Sequence, residues 1–368
     1  MKWYMTIGMK HDRIPKFCQA FRVFVFLPLY LFIFLPLFSG CSMVDEDLSE
    51  CEEKFNVQYQ VSLKTNLALE LQTVLRNRFE TEVADLLEDS LKMIFREYAH
   101  DVDLSFFANG DLSFFDHHIM DAGQATYELN LPAEDYRHLA LANMMEEPSI
   151  FVNGTDRENS LQLIQSGSKQ IDSHRIGLFT ARHDIDIKGN QSQTFNVTFY
   201  MANCASVLVI RNEKNVQYKD IWVRSSDFAN GFMVNDSVFK HDENPMVNDV
   251  HVMNPPKQRE VFYAVTFPSC DTAEDAHKLT SETRADIGDE DVQLGDEDRK
   301  RIWRKYVFVR LLNGTVTRTV LNVRKALMAG QVMVIYVDLE EGGGIKSANP
   351  EIGTSITLDW KSGLIIEN

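Results

Sequence analysis

Short stretches in which apolar and polar residues alternate recur along this chain, and they restrict its fold more than any other feature. Phe55, Val57, Tyr59, Val61 and Leu63 occupy every second position. A period of two is that of a strand with one buried face. Val102, Leu104 and Phe106 repeat it up to Asn109-Gly110, and Leu112 and Phe114 resume after that pair. Asn-Gly accepts the positive φ angles of a tight hairpin turn. Tyr127, Leu129 and Leu131 alternate up to Pro132, and Tyr136 to Asn143 reads as a further strand. Met144 to Ser173 is polar and irregular and reads as loop, and Ile176 to Ile187 returns to the sheet.

A second series starts near Gln193. Phe195, Val197 and Phe199 alternate, followed by Val207, Val209 and Ile221 to Val223. Asn230-Gly231 reads as another turn, and Val261 to Phe267 is apolar and β-branched. Tyr306 to Leu312, Asn313-Gly314 and Thr315 to Val323 spell a hairpin, and Val332 to Leu339 and Ser355 to Trp360 complete the set. One segment has a different period. Leu71, Val74, Leu75, Val83, Leu86, Leu87, Leu91, Ile94 and Phe95 recur at three- and four-residue steps, which predicts a long amphipathic helix ending near Tyr98. Many short strands without a strand–helix repeat predict a mainly β chain built of sandwiches rather than a parallel sheet. The 368 residues suffice for two such domains, expected at 55–190 and 191–368, with the helix in the first.

The N-terminus points to export. Lys2, Lys10, Arg13, Lys16 and Arg22 precede an uncharged apolar run from Val23 to Phe38, and Ser39-Gly40 then leads to Cys41. That is the layout of a secretory signal, here residues 1–40. Small residues directly before a cysteine suit a lipoprotein signal peptidase, which would leave Cys41 acylated and N-terminal. The lipid would then hold the chain to a membrane without spanning it. Residues 41–54 follow as an acidic tether with Asp45, Glu46, Asp47, Glu50, Glu52 and Glu53. The chain carries a formal charge of −17, and removal of a leader of net +4 leaves about −21. Such a surface disfavours nucleic acid as a partner.

Of five cysteines, Cys18 departs with the leader and Cys41 is the lipidation candidate. Cys51, Cys204 and Cys270 remain, with Cys204 and Cys270 the first choice for a disulfide, although sequence alone leaves the pairing open. Their spacing fits no zinc motif. Between Asp271 and Asp298 stand eleven acids and two bases, an insert that lacks EF-hand spacing and reads as a solvated loop.

Catalytic signatures are missing from the pattern. Ser168 lies outside any Gly-x-Ser-x-Gly elbow. His117 and His118 are adjacent, so on a strand they face opposite sides. His174 and His183 with Asp184 and Asp186 are a candidate metal-ligand set, but they read as exposed polar loop residues instead. No cofactor, metal or enzymatic activity is expected.

Glu46-Asp47-Leu48 before Cys51, the FFANGDL hairpin, and Leu131, Pro132, Ala133, Tyr136, Ala142 and Asn143 together resemble the FimB-type fimbrial anchor lipoproteins of Bacteroidales. Glu134-Asp135 stand where that family often has Gly, and the strand from Val102 lacks the cysteine that often pairs with the leader cysteine. The resemblance implies two tandem transthyretin-like β-sandwiches. It also implies a lipid-anchored subunit on the outer membrane that holds a fimbrial shaft subunit and ends polymerisation through strand exchange. The competing reading is a surface glycan-binding lipoprotein, whose mark would be an exposed platform drawn from Trp222, Trp303, Trp360 and Tyr306.

Overall fold

A computed structural model describes residues 53–64, 81–92, 94, 99–120, 126–167, 169–189, 191–270, 302–349 and 352–359. Cys41, Cys51, Ser168, Trp360, the signal segment and the acidic insert 271–298 lie outside the described residues.

The alternating segments are strands. In chain order they begin with β1 Lys54–Lys64, β2 Asp101–Ala108, β3 Asp111–Ile119, β4 Thr126–Pro132 and β5 Asp135–Ala142. Then come β6 Ile150–Asn153, β7 Gln162–Gln165, β8 Gln170–Asp172, β9 Phe179–Asp186, β10 Gln193–Met201 and β11 Cys204–Arg211. The middle of the chain adds β12 Tyr218–Ser226, β13 Gly231–Met233, β14 Val238–Lys240, β15 Met246–Asn248, β16 Val250–His251 and β17 Arg259–Thr266. The last are β18 Trp303–Leu311, β19 Val316–Val323, β20 Val332–Leu339, β21 Ile345–Ser347 and β22 Ile352–Asp359. The helix α1 spans Thr81–Leu91. Val83, Leu87 and Leu91 stand four residues apart and are buried, so one stripe faces the core. The expected beginning of this helix near Leu71, and its end near Tyr98, fall outside the described residues.

Four sheets result. Seven strands take the order β3-β2-β5-β9-β10-β1-β4, five take β16-β17-β11-β20-β21, six take β22-β19-β18-β12-β15-β8, and four take β14-β13-β7-β6. Antiparallel pairs dominate, yet β1 runs parallel to β10 and β11 parallel to β20. The strand β10, expected to open the second half, belongs to the sheet of the first.

Two cores explain one peculiar run. Residues of the seven-stranded sheet and α1 form a continuous buried cluster with Ala205, Val207 and Val209 of β11. Cys204, Leu208 and Ile210 of the same strand enter a second cluster with Ile221, Val223, Trp303, Val307 and Leu321. A strand buried on both faces needs no polar alternation, which is why Cys204 to Ile210 reads CASVLVI.

Two expectations are corrected. Met144 to Ser173 is not plain loop, because β6, β7 and β8 lie within it. Such strands of three or four residues carry too little pattern to be seen, and β7 finds its partner β13 far along the chain. Asn230-Gly231 is not a hairpin turn either: Gly231 opens β13, where a Cβ would sit 3.3 Å from the Leu163 carbonyl oxygen. By contrast, Asn109 and Gly110 have φ of 52° and 88° and join β2 to β3 as a tight turn.

Candidate functional site

The motif residues that carried the family resemblance have definite structural tasks. Tyr136 is buried, and its hydroxyl donates to the Pro132 carbonyl at 3.4 Å, bracing the turn from β4 to β5. Asn143 is buried with φ of 67°, a left-handed conformation that Asn tolerates better than most residues. Its side-chain oxygen accepts from the His100 amide at 2.8 Å and its Nδ2 donates to the Gly177 carbonyl at 2.9 Å. It thus ties the end of β5 to the entries of β2 and β9.

The central feature is the seat of the first strand. β1 lies between β10, parallel, and β4, antiparallel. Val57 and Tyr59 are buried, and Phe55, Val61 and Leu63 pack against the same core. Their period of two sends all five to one face. Tyr59 is the anchor of the row. Its hydroxyl and His138 Nε2 are 2.6 Å apart in the core. His138 Nδ1 lies 3.0 Å from the Ser105 carbonyl and must donate to it, so Nε2 accepts from the Tyr59 hydroxyl. Burial lowers the His138 pKa to about 3, so the ring stays neutral. Burial, and then proximity to Tyr127, pushes the Tyr59 hydroxyl upward, which keeps its proton in place. Phe106 stacks on His138 with centroids 4.2 Å apart, and Tyr59 meets Tyr127 at 5.2 Å.

The sheet has two outer strands, β3 and β4. On β3, Phe115 and Ile119 are 49% and 56% exposed. Among the described residues, only the bridge from Asp111 to Arg157 pairs its outer side. An exposed edge of this kind offers unpaired backbone groups to another chain.

Other candidates are placed as follows. Trp303 is fully buried. Trp222 and Tyr306 are half-buried on the outer face of the six-stranded sheet. Trp222 stacks on Phe308 at 5.1 Å, Arg310 lies 5.3 Å from its ring, and Arg318 lies 4.8 Å from that of Tyr306. Ring faces already covered by arginines and by one another do not make the open platform that stacking on a sugar requires. His117 pairs with Asp103 at 2.6 Å, whereas His118 stacks on Tyr127, so the two histidines do face opposite ways. His174 is buried beside Glu147 and Asn203, whereas His183 is on β9 and Asp184 pairs with Arg137. Among the described residues no group of three or more metal-type side chains converges. Cys204 and Cys270 are both buried thiols, and burial drives the Cys204 pKa far up, with a further push from Cys270.

One buried cluster escaped the sequence reading. Lys305 Nζ contacts Asp249 Oδ2 with both side chains fully buried, and Ser225 bridges them. The signal was present: Lys305 shares the phase of Trp303, Val307 and Val309, all of which face the core.

Residues 49–260 match the family model of the fimbrillin-A associated anchor proteins Mfa1 and Mfa2. No curated protein matches. Among solved structures, a candidate adhesin from Bacteroides ovatus is 8% identical, with 83% of this chain and 96% of that one covered and a TM-score of 0.49. A candidate polysaccharide-binding protein from Bacteroides thetaiotaomicron is 11% identical, with coverage of 80% and 99% and a TM-score of 0.47. The fimbrial anchor protein Mfa2 from Porphyromonas gingivalis is 9% identical, with coverage of 77% and 90% and a TM-score of 0.42. The family model spans more than half of the 368 residues, and the chain belongs to the fimbrillin-A associated anchor protein family.

Proposed function

We propose that this protein is a lipid-anchored fimbrial anchor or accessory subunit. It attaches a fimbria to the outer membrane through acylated Cys41 and ends polymerisation through β-strand complementation. The observation that carries this reading is the seat of β1 in the interior of the seven-stranded sheet. A subunit that accepts a donor strand must present an empty slot. Here the chain's own first strand fills that slot and is fastened by Tyr59. A filled slot suits a terminal unit. Strand addition then takes place at an edge such as β3, where backbone groups supply the bonds and apolar side chains the selectivity.

On this reading the fold comprises two tandem transthyretin-like modules, the first extending from 55 through β10 and the second beginning with β11. A disulfide between Cys204 and Cys270 would form after export and pin β11 to the segment leaving β17.

Two measurements test the role. Cys41→Ala should abolish acyl incorporation and release the protein from membranes, and continued acylation would refute lipid attachment. Deletion of the gene should give fimbriae that are longer or shed into the medium. Normal length and attachment in the deletion strain would refute the anchor role.

A further inference from the structure

Lys305 sits on the core-facing side of β18, and its side chain has no exposed surface. Its Nζ meets Asp249 Oδ2, and the Asp249 side chain is equally buried. Ser225 is the cross-strand partner of Lys305. Lys305 Nζ donates to Ser225 Oγ at 3.0 Å, and Ser225 Oγ donates to Asp249 Oδ1 at 2.7 Å. The Asp249 amide donates to the Val223 carbonyl at 3.1 Å, which fixes the carboxylate against β12. The indole of Trp303, 5.8 Å from Nζ, and the thiol of Cys204 line the site. An amine, a carboxyl group and a hydroxyl that touches both are therefore held together out of water.

Two physical consequences follow. A dry site penalises the ion pair, and burial, the largest influence, lowers the Lys305 pKa. The neutral amine and acid are the forms that react with each other. Fixed contact also replaces an encounter in solution, and well-oriented groups reach effective concentrations of about 10⁵–10⁸ M. Condensation would remove both buried charges and expel a water molecule from a place where water is unfavourable.

We propose that Lys305 and Asp249 are joined by an intramolecular isopeptide bond, Lys305 Nζ to Asp249 Cγ, formed with Ser225 as the proton relay. Lys305 first passes one proton to Asp249 Oδ2. The Nζ lone pair then adds to Cγ, and a second Nζ proton travels through Ser225 Oγ to Oδ1. As the Cγ–Oδ2 bond breaks, the Oδ1 hydroxyl gives its proton to Oδ2, which leaves as water; Oδ1 becomes the amide carbonyl and the nitrogen retains one N–H. No oxidant, reductant or activated co-substrate takes part. The bond spans 56 positions of sequence and locks β18 to the corner between β15 and β16. Tension on the sandwich could then not strip β18 away without breaking a covalent link. This inference does not depend on the anchor reading.

The test is mass spectrometry of the purified full chain after denaturation. After reduction of any disulfide, the expected mass is one water below that of the processed, acylated sequence. Trypsin should fail at Lys305 and yield a branched peptide joining residues 241–257 to 305–310. D249N should lose ammonia instead of water, and K305M should show neither mass loss nor branch. S225A should form the bond about 100-fold more slowly. An uncondensed mass for the natural chain, with ordinary cleavage after Lys305, would leave an ion pair only and overturn the proposal. An unchanged rate in S225A would overturn the relay.

Discussion

At Tyr59 and His138 two neutral groups meet in the core beneath the first strand, whereas at Lys305 and Asp249 the core of the second cluster holds two ionisable groups of opposite sign. Both contacts tie together strands distant in sequence. They differ in what happens when one partner is lost. A neutral pair leaves an unsatisfied hydrogen-bonding atom, whereas loss of Lys305 removes the proposed cross-link and leaves the Asp249 carboxyl group buried without its partner. The strand seat can therefore tolerate mild change, and the Lys305 cluster cannot.

The largest effect should come from removing one side of the Lys305–Asp249 pair. K305M is expected to lower stability by about 3–5 kcal/mol, and adding D249L should recover the part owed to the stranded carboxyl group but not the part owed to the lost cross-link. Chemical denaturation of the single and double variants checks this, and equal loss in both would remove the distinction from the neutral site. Tyr59→Phe should cost about 1–3 kcal/mol, because His138 Nε2 loses its donor while the ring still fills the core. Hydrogen exchange should then show β1 opening more readily than β18.

Acid sharpens the same contrast. The His138 pKa is about 3 in the fold against an ordinary 6.5. The unfolded chain therefore binds more protons between those values, and stability falls as pH drops from about 6.5 toward 3. His138→Gln should flatten that part of the curve, and an unaltered acid limb would contradict the neutral assignment. The smallest effect should follow from Arg318→Ala on the outer face of the six-stranded sheet. Loss of its ring contacts should cost about 0.5–1 kcal/mol in a thermal scan.

Much of this was legible in residues alone. The phase of Phe55 to Leu63 gave the buried face of β1, and Asn109-Gly110 marked the hairpin correctly. Lys305 was overlooked because a charged residue within an alternating strand is ordinarily assigned to the solvent side. Its phase with Trp303 and Val307 places it inward, and only a partner makes that position tenable. The short strands β6 to β8 were hidden because three or four residues hold less than two repeats of the pattern.

By itself the chain determined the longer strands, the apolar face of each and the tight hairpin turn at Asn109-Gly110, since period and turn chemistry act over a few residues. Tertiary structure decided that β1 lies parallel to β10, that β11 is buried between two cores, and that Ser225, Asp249 and Lys305 converge. Alternation states that a strand has a face to bury. It carries no information on which distant strand will cover that face, and this choice is made only when all the apolar surfaces compete for burial at once.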